Sequence, residues 1–254
     1  KKELELINWT VLLKTKEYFK GKIKLGDNLE RINHKLLGKN YIDYLLPHIK
    51  PKLTEFSKSK KILNLISKIL ETKNPKICED FNQFRGNYPA PDFVEGGGGR
   101  VGWHQDAQTL FLSGYESFYY DNVTMWVSLN GANKKNSLEL VPFWNKKLKL
   151  YRQHYKSQKE LHEIDNNLQN MTTCKFDCKP GSILLFNSLL FHRTVLNTSN
   201  KVRFRLDIRF YNPEKRKSNY KIATLLYYDK YLLKFKKTKT FDKISSVINF
   251  LSLK

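Results

Sequence analysis

The chain has 254 residues, of which 46 are Lys or Arg and 24 are Asp or Glu, so the formal net charge is +22 with histidine neutral. Hydrophobic residues make up 40% and aromatic residues 13%, which is enough apolar side chain for a core and excludes a disordered chain despite the charge. No stretch reaches the roughly 18 uncharged apolar residues of a membrane-spanning helix, and the first residues lack the apolar centre of a signal peptide. A cytoplasmic location is therefore expected.

The positive charge is spread along the whole chain and is mostly lysine. This pattern is typical of a coding bias, but a field of this size also attracts anions such as nucleic acid, acidic membranes or phosphorylated and carboxylated small molecules. Charge alone does not choose among them. The three cysteines, Cys78, Cys174 and Cys178, are an odd set without Cys-x-x-Cys spacing, so neither a disulfide framework nor a zinc site is expected.

The chain is predicted to begin with helices. From residue 4 to about residue 72, apolar residues recur at intervals of three and four, most clearly over 62–70, with charges between them. We therefore interpret residues 1–79 as a helical N-terminal support.

A β-rich core is predicted over residues 80–213, where short β-branched and aromatic runs alternate with Gly, Pro and Asn. The clearest of these runs span residues 123–129, 138–141, 183–186 and 202–211. Such runs are typical of antiparallel strands in a barrel or sandwich. A charged segment at about 146–169 is predicted as a helical insert, and 214–254 as a helical C-terminal extension. With no internal repeat and no long linker, we expect one domain, 1–254.

Three residues could bind a metal ion. His104 and Asp106 are two positions apart, which places both side chains on one face if the segment is a strand. His192 closes a second apolar run and could supply a third ligand from a neighbouring strand. Two neutral imidazoles and one carboxylate on one face of a metal are the arrangement of non-haem Fe(II) oxygenases. Taken alone, however, a His-x-Asp pair is a weak signal.

The segment 202–211 adds a possible anion anchor. Its apolar residues alternate with the charged residues Arg203, Arg205, Asp207 and Arg209. For Arg205 and Arg209, solvated charges on a half-exposed strand are an equally good interpretation. Arg203 differs because it follows His192 by eleven residues. A guanidinium one strand from a metal can hold the far end of a dicarboxylate whose near end chelates that metal, as 2-oxoglutarate requires.

Several motifs occur in a familiar order and spacing between residues 103 and 211. They are Trp103-His104-Gln105-Asp106, then Thr124-Met125-Trp126-Val127-Ser128-Leu129, then Asn136-Ser137-Leu138-Glu139-Leu140-Val141-Pro142, then Lys179-Pro180-Gly181-Ser182, and finally Phe191-His192-Arg193-Thr194 leading to Arg203. This series resembles the phytanoyl-CoA dioxygenase-like family of Fe(II)- and 2-oxoglutarate-dependent oxygenases.

The resemblance implies a fold and a site. The fold is a double-stranded β-helix, a jelly-roll or cupin-like barrel, with flanking helices at both ends and the helical insert. His104, Asp106 and His192 would bind Fe(II), and Arg203 would pair with the C5 carboxylate of 2-oxoglutarate. Trp126 would line the cosubstrate pocket, and Thr194 would help to bind the same carboxylate. Related halogenases lack the acidic ligand, so its presence here favours hydroxylation.

The expected activity is therefore that of a dioxygenase that uses Fe(II), 2-oxoglutarate and O2, hydroxylates a small molecule and releases succinate and CO2. The positive charge favours an anionic substrate of the sugar, nucleotide-linked, phosphorylated or acyl-CoA type. One alternative is a non-catalytic basic β-sandwich that binds nucleic acid or an acidic polymer, although this leaves the ordered metal-site residues unexplained. Another is a cupin-like metal protein without 2-oxoglutarate chemistry, which would have no need of Arg203.

Overall fold

The structure is a computed structural model that describes residues 2–20, 41–79, 82–89, 101–107, 122–142, 153–154, 163–164 and 172–214. Three helices come first: α1 (Lys2–Tyr18), α2 (Tyr41–Ser57) and α3 (Lys60–Leu70). Helices over the N-terminal region agree with the sequence prediction. Within the described residues, no helix combines the length and apolar character needed to cross a bilayer.

Helix α3 shows how the sequence period sets helix packing. Ile62, Ile66 and Leu70 are four positions apart and are all buried, so they form the stripe that faces the core. The helix ends where Glu71 adopts the left-handed conformation, with φ of 52°. The backbone N–H of Thr72 then donates to the carbonyl of Ser67 at 3.1 Å, which satisfies a carbonyl at the helix end.

Ten strands follow the helices in the described part of the chain. They are β1 (Lys76–Ile77), β2 (Gln83–Asn87), β3 (Asn122–Ser128), β4 (Leu138–Leu140), β5 (Gln153–His154), β6 (Glu163–Ile164), β7 (Cys174–Lys175), β8 (Ile183–Asn187), β9 (His192–Thr194) and β10 (Arg203–Tyr211). All of their pairings are antiparallel. The first sheet has the order β1-β10-β3-β8 with β2 also paired to β10, and the second has the order β7-β4-β9.

Strand β10 is the centre of the first sheet, with β3 on one edge and β1 and β2 on the other. Its apolar residues alternate with charged ones, so they share one face. On that face Phe204, Leu206, Ile208 and Phe210 pack with β3 and with the buried stripes of the helices in one continuous core. Its other face points toward the second sheet. The described residues thus form a helix layer, a five-stranded sheet and a three-stranded sheet, with β5 and β6 as a separate two-stranded sheet.

The observed strands β3, β4, β8 and β10 match the predicted runs within a residue or two at each end. The two antiparallel sheets and the bracing helices confirm the jelly-roll fold class. The predicted helical insert needs a local correction. At its described points the backbone is extended, because β5 and β6 pair with each other through Gln153↔Ile164 and His154↔Glu163. The rest of the insert and the predicted C-terminal helix from residue 215 onward lie outside the described residues.

Candidate active site

Two distant segments are joined by a short backbone bridge at His104 and His192. The amide of each residue donates to the carbonyl of the other, at 3.0 and 3.1 Å. Directly opposed residues of an antiparallel pair carry their side chains on the same face. The bridge therefore brings the two imidazoles together, with ring centroids 4.1 Å apart.

Asp106 completes the group, but not as part of the strand that the sequence suggested. His104 forms only an isolated bridge, and Asp106 begins a helical turn. This turn is tied to the loop before β9, because the Ala107 amide donates to the Ser188 carbonyl at 3.1 Å. The carboxylate still meets both imidazoles: its Oδ1 lies 3.6 Å from His104 Nε2 and 3.8 Å from His192 Nε2.

Both imidazoles are oriented by backbone carbonyls. His104 Nδ1 donates to the Gly102 carbonyl at 2.8 Å, and His192 Nδ1 donates to the Leu190 carbonyl at 3.0 Å. Because a carbonyl can only accept, Nδ1 of each ring carries a proton, and Nε2 of each ring is turned toward Asp106. Burial, with the neighbouring His104, lowers the pKa of His192 to about 3, so this imidazole is neutral at physiological pH.

Asp106 is held by two side chains, Arg209 and Thr124, to which the sequence assigned no role at the metal site. Arg209 grips both carboxylate oxygens, through Nη2 to Oδ1 at 2.8 Å and Nε to Oδ2 at 3.1 Å. Thr124 donates its hydroxyl to Oδ2 at 2.7 Å. Burial alone would raise the pKa of Asp106, whose exposed fraction is 1%, but the Arg209 guanidinium on both oxygens holds it well below its usual range.

This donor set fits a divalent transition metal. The ligand atoms of His104, Asp106 and His192 all lie within 4.8 Å of one another. Adjacent ligands of an ion bound at about 2.1 Å are separated by roughly 3 Å, so only a small contraction is needed. His192 is neutral and the Asp106 carboxylate is ionised, which are the forms that bind metal. Two nitrogen donors and one oxygen donor suit non-haem Fe(II).

A cavity lies between the two sheets, and these three residues are part of its lining. Its apolar walls include Val101, Leu138 and Phe186. The remaining lining residues are polar or aromatic and come mainly from β2, β3 and β10: Gln83, Arg85, Thr124, Trp126, Arg205, Asp207 and Arg209. Most of the lining side chains are polar or charged, which suits a polar or charged small-molecule ligand.

Of the predicted cosubstrate residues, Arg203 and Thr194 are not among those that line this cavity. Trp126 lines it, and the Arg203 guanidinium lies over the Trp126 ring at 5.3 Å from the centroid. Thr194 is buried, but its hydroxyl accepts from Arg205 Nη1 at 3.3 Å. The structure thus places Arg203 against Trp126, and places Thr194 against Arg205.

The hydrogen-bond donors of Arg203 and Trp126 fit a carboxylate. Arg203 is 1% exposed, and its Nε and Nη1 have no hydrogen-bond partner among the described residues. Trp126 Nε1 is likewise unpartnered within that part of the chain. Burial and the like charge of Arg205 push the pKa of Arg203 well below its ordinary value. Buried donors of this kind are costly unless an anion binds them, and 2-oxoglutarate carries a carboxylate that they could hold.

Sequence reasoning missed part of this site. Arg205 and Arg209 are buried, whereas solvent exposure had been an equally good interpretation of both. Their alternation with apolar residues was the available signal, since the apolar face of β10 packs on helices and the charged face must then meet the second sheet. Gln83 and Arg85 on β2 carried no motif, and only their pairing with β10 identifies them.

Comparisons with known proteins agree with this geometry. The sequence profile of the family described as Phytanoyl-CoA dioxygenase (PhyH) matches residues 47–205. Among solved structures, the chain is similar to the non-heme monooxygenase ThoJ in its apo form, at 13% identity and a TM-score of 0.50, over 84% of this chain and 70% of that one. This likeness supports the fold. No curated protein sequence matches the chain.

Two further structures are less similar in shape. EvdO2 from Micromonospora carbonacea var. aurantiaca, complexed with 2-oxoglutarate, is 16% identical with a TM-score of 0.41, over 66% of this chain and 70% of that one. EvdMO1 is also 16% identical, with a TM-score of 0.44 over 63% of this chain. The match spans only 32% of the length of EvdMO1.

The profile match covers more than half of the chain and includes the three clustered metal-site residues. It confirms the family expected from the sequence, together with the oxygenase class and the Fe(II), 2-oxoglutarate and O2 requirement of that family. The chain belongs to the phytanoyl-CoA dioxygenase family of non-haem Fe(II)- and 2-oxoglutarate-dependent oxygenases.

Proposed function

We propose that this protein couples the oxidative decarboxylation of 2-oxoglutarate, to succinate and CO2, with the hydroxylation of a small-molecule substrate. The observation that carries the proposal is the meeting of three ligand atoms inside a cavity, with Asp106 Oδ1 at 3.6 and 3.8 Å from the two imidazole nitrogens. The carboxylate is retained, so hydroxylation rather than halogenation is the expected outcome.

Three residues would hold the metal: His104 and His192 through Nε2, and Asp106 through Oδ1. The carbonyls that accept from the two Nδ1 atoms fix the ring orientations before metal binds. Thr124 and Arg209 hold the carboxylate in place through Oδ2. When bound, the metal and 2-oxoglutarate together activate O2 and supply the oxidant that removes a hydrogen atom from the substrate and returns a hydroxyl group.

Arg203 would anchor the C5 carboxylate of 2-oxoglutarate, with Trp126 against its guanidinium, and we propose that Thr194 helps to bind the same carboxylate. The unpartnered buried donors of Arg203 and Trp126 support this role. A planar guanidinium can bind a carboxylate through two parallel hydrogen bonds, which fixes orientation as well as affinity. The apolar walls formed by Leu138 and Phe186 would exclude water from the reacting groups.

We propose an anionic substrate, and a cytoplasmic location, as the finer parts of this assignment. The net charge of +22 supports electrostatic attraction of an anion toward the cavity. The three described cysteines are free, as a reducing compartment favours. The alternative basic binding module would use exposed cations, whereas Arg203, Arg205 and Arg209 are buried.

Thermal unfolding of the Mn(II)-loaded protein tests the function without turnover. We expect 2-oxoglutarate to raise the unfolding midpoint, because a ligand that binds only the native state stabilises it. His192→Ala should lose this shift, and Lys50→Gln, which removes an exposed charge from α2, should keep it. An equal shift in the His192→Ala variant would place 2-oxoglutarate binding outside the proposed site.

A further inference from the structure

The cavity contains more positive charge than the metal centre and one dicarboxylate require. Arg209 is paired with Asp106, and Arg205 Nε forms an ion pair with Asp207 Oδ2 at 3.0 Å. Arg203 is the proposed cosubstrate anchor. This leaves Arg85, whose Nε donates to the neutral Gln83 Oε1 at 2.6 Å. Asp207 and Asp106 attract Arg85 electrostatically, but their ion pairs with arginine in the described part of the chain are with Arg205 and Arg209.

The β-sheet register places Arg85 in a defined patch. In the pairing of β2 with β10, Arg85 lies opposite Arg205 and Gln83 lies opposite Asp207. All four residues line the same cavity as the metal-site residues. We call these four residues the cross-strand patch. It contains two arginines and one aspartate, so it carries one uncompensated positive charge.

This arrangement has an energetic cost in the protein alone. Like charges directly opposite each other destabilise a sheet pair, and burial increases the cost because the charges are less well hydrated. Burial and the charge of Arg205 lower the pKa of Arg85 to about 10. Where local arrangements oppose stability in this way, a functional role is the usual reason. An oxyanion beside Arg85 would offset the excess charge.

We infer that the cross-strand patch is a second anion subsite, in which Arg85 binds a carboxylate, sulfonate or phosphate group of the substrate that is to be oxidised. This inference rests on the proposed function. The two carboxylates of 2-oxoglutarate already have partners there, one at the metal and one at Arg203. A third oxyanion in the cavity would therefore belong to the substrate that is to be oxidised. Its binding to Arg85 would hold that substrate in the same cavity as the metal centre.

Anion titrations of the Mn(II)-loaded protein at saturating 2-oxoglutarate test the inference. The probes are inorganic phosphate, sulfate and acetate, added at constant ionic strength, and the readout is the thermal midpoint. We expect at least one probe to stabilise the protein, and the strongest of the three identifies the substrate class. Arg85→Gln should weaken that probe by about tenfold or more, the usual worth of a hydrogen bond to a charged group. Arg85→Lys should retain part of the binding.

The controls separate this subsite from other sites on a basic protein. Lys50→Gln removes one exposed charge and should bind the probe as the unmodified protein does. Equal probe binding by Arg85→Gln, or no stabilisation by any probe, would refute the inference. Competition between the probe and 2-oxoglutarate would also refute it, because the patch would then belong to the cosubstrate. Failure of the proposed function is distinguishable from failure of this inference. If the proposed function is wrong, 2-oxoglutarate does not raise the thermal unfolding midpoint even before a probe is added.

Discussion

The two faces of β10 differ in what holds them together. On one face Phe204, Leu206 and Ile208 are fully buried against helices and a neighbouring strand, where stability comes from apolar area removed from water. On the other face Arg205 and Arg209 are also buried, yet each needs a specific carboxylate partner. The comparison shows that one strand can supply both the core and the site. Substitutions on the apolar face should lower stability, whereas substitutions on the charged face should impair metal or cosubstrate binding.

The largest effect is expected at Asp106, where the charged face meets the metal centre. Asp106→Ala removes a metal ligand and leaves Arg209 buried without its partner, so metal-dependent succinate formation should fall to background. Breaking one side of a buried ion pair should also lower the free energy of unfolding by about 3–5 kcal/mol. Chemical denaturation and a succinate assay measure the two effects. Glu55→Ala on α2 is the matched control, and succinate formation by Asp106→Ala at the unmodified rate would contradict the site.

The apolar face should respond through stability alone. Phe204 is fully buried and its ring is stacked on Phe84, with centroids 5.4 Å apart. Phe204→Ala should therefore lower the free energy of unfolding by about 3–5 kcal/mol, from lost burial and the cavity left behind. Calorimetric titration of the folded fraction should show an unchanged affinity for 2-oxoglutarate. A large loss of that affinity would mean that the two faces are not independent.

Arg203 should show the reverse behaviour. Arg203→Met removes a buried cation whose guanidinium faces like charge, so stability without 2-oxoglutarate should be unchanged or higher. The affinity for 2-oxoglutarate should fall by about tenfold or more, because a charge-assisted hydrogen bond is lost. Calorimetry on the Mn(II)-loaded protein measures both quantities. If the affinity is unchanged in Arg203→Met but falls in Arg205→Met, the anchor is Arg205, which already contacts Thr194.

The smallest expected effect is a loss of folding stability at alkaline pH, caused by a buried tyrosine in the helix layer. Burial raises the pKa of Tyr41, whose hydroxyl is hydrogen-bonded to that of Thr15. An unfolded tyrosine ionises near pH 10, so above this pH the unfolded state releases a proton that the folded state keeps, and stability falls as pH rises. Each such group contributes about 1.4 kcal/mol per pH unit. Denaturation at pH 10 and 11 should show a shallower decline in Tyr41→Phe, and an identical decline would exclude this coupling.

The sequence was sufficient for the elements whose signal is local. Alternation over residues 202–211 predicted β10 and its two faces, and the order of motifs predicted that His104, Asp106 and His192 come together. The sequence was not sufficient to predict side-chain contacts between residues that only the tertiary fold brings together. Arg209 contacts Asp106 across 103 residues of sequence, and Arg85 faces Arg205 only because β2 pairs with β10 in one register. The spacing of residues along the sequence specifies which face of a strand each side chain occupies. It specifies neither how deeply that side chain is buried nor which residue lies opposite it on the neighbouring strand.

The reciprocal amide bonds between His104 and His192 link metal retention to local opening of the fold. If this one bridge separates, both nitrogen ligands are lost in the same event, and no form with a single imidazole in place should persist. Metal release and amide exchange at these two positions would then share one rate. A bound ion, coordinated by both histidines, would in turn slow the separation of the two segments that carry them.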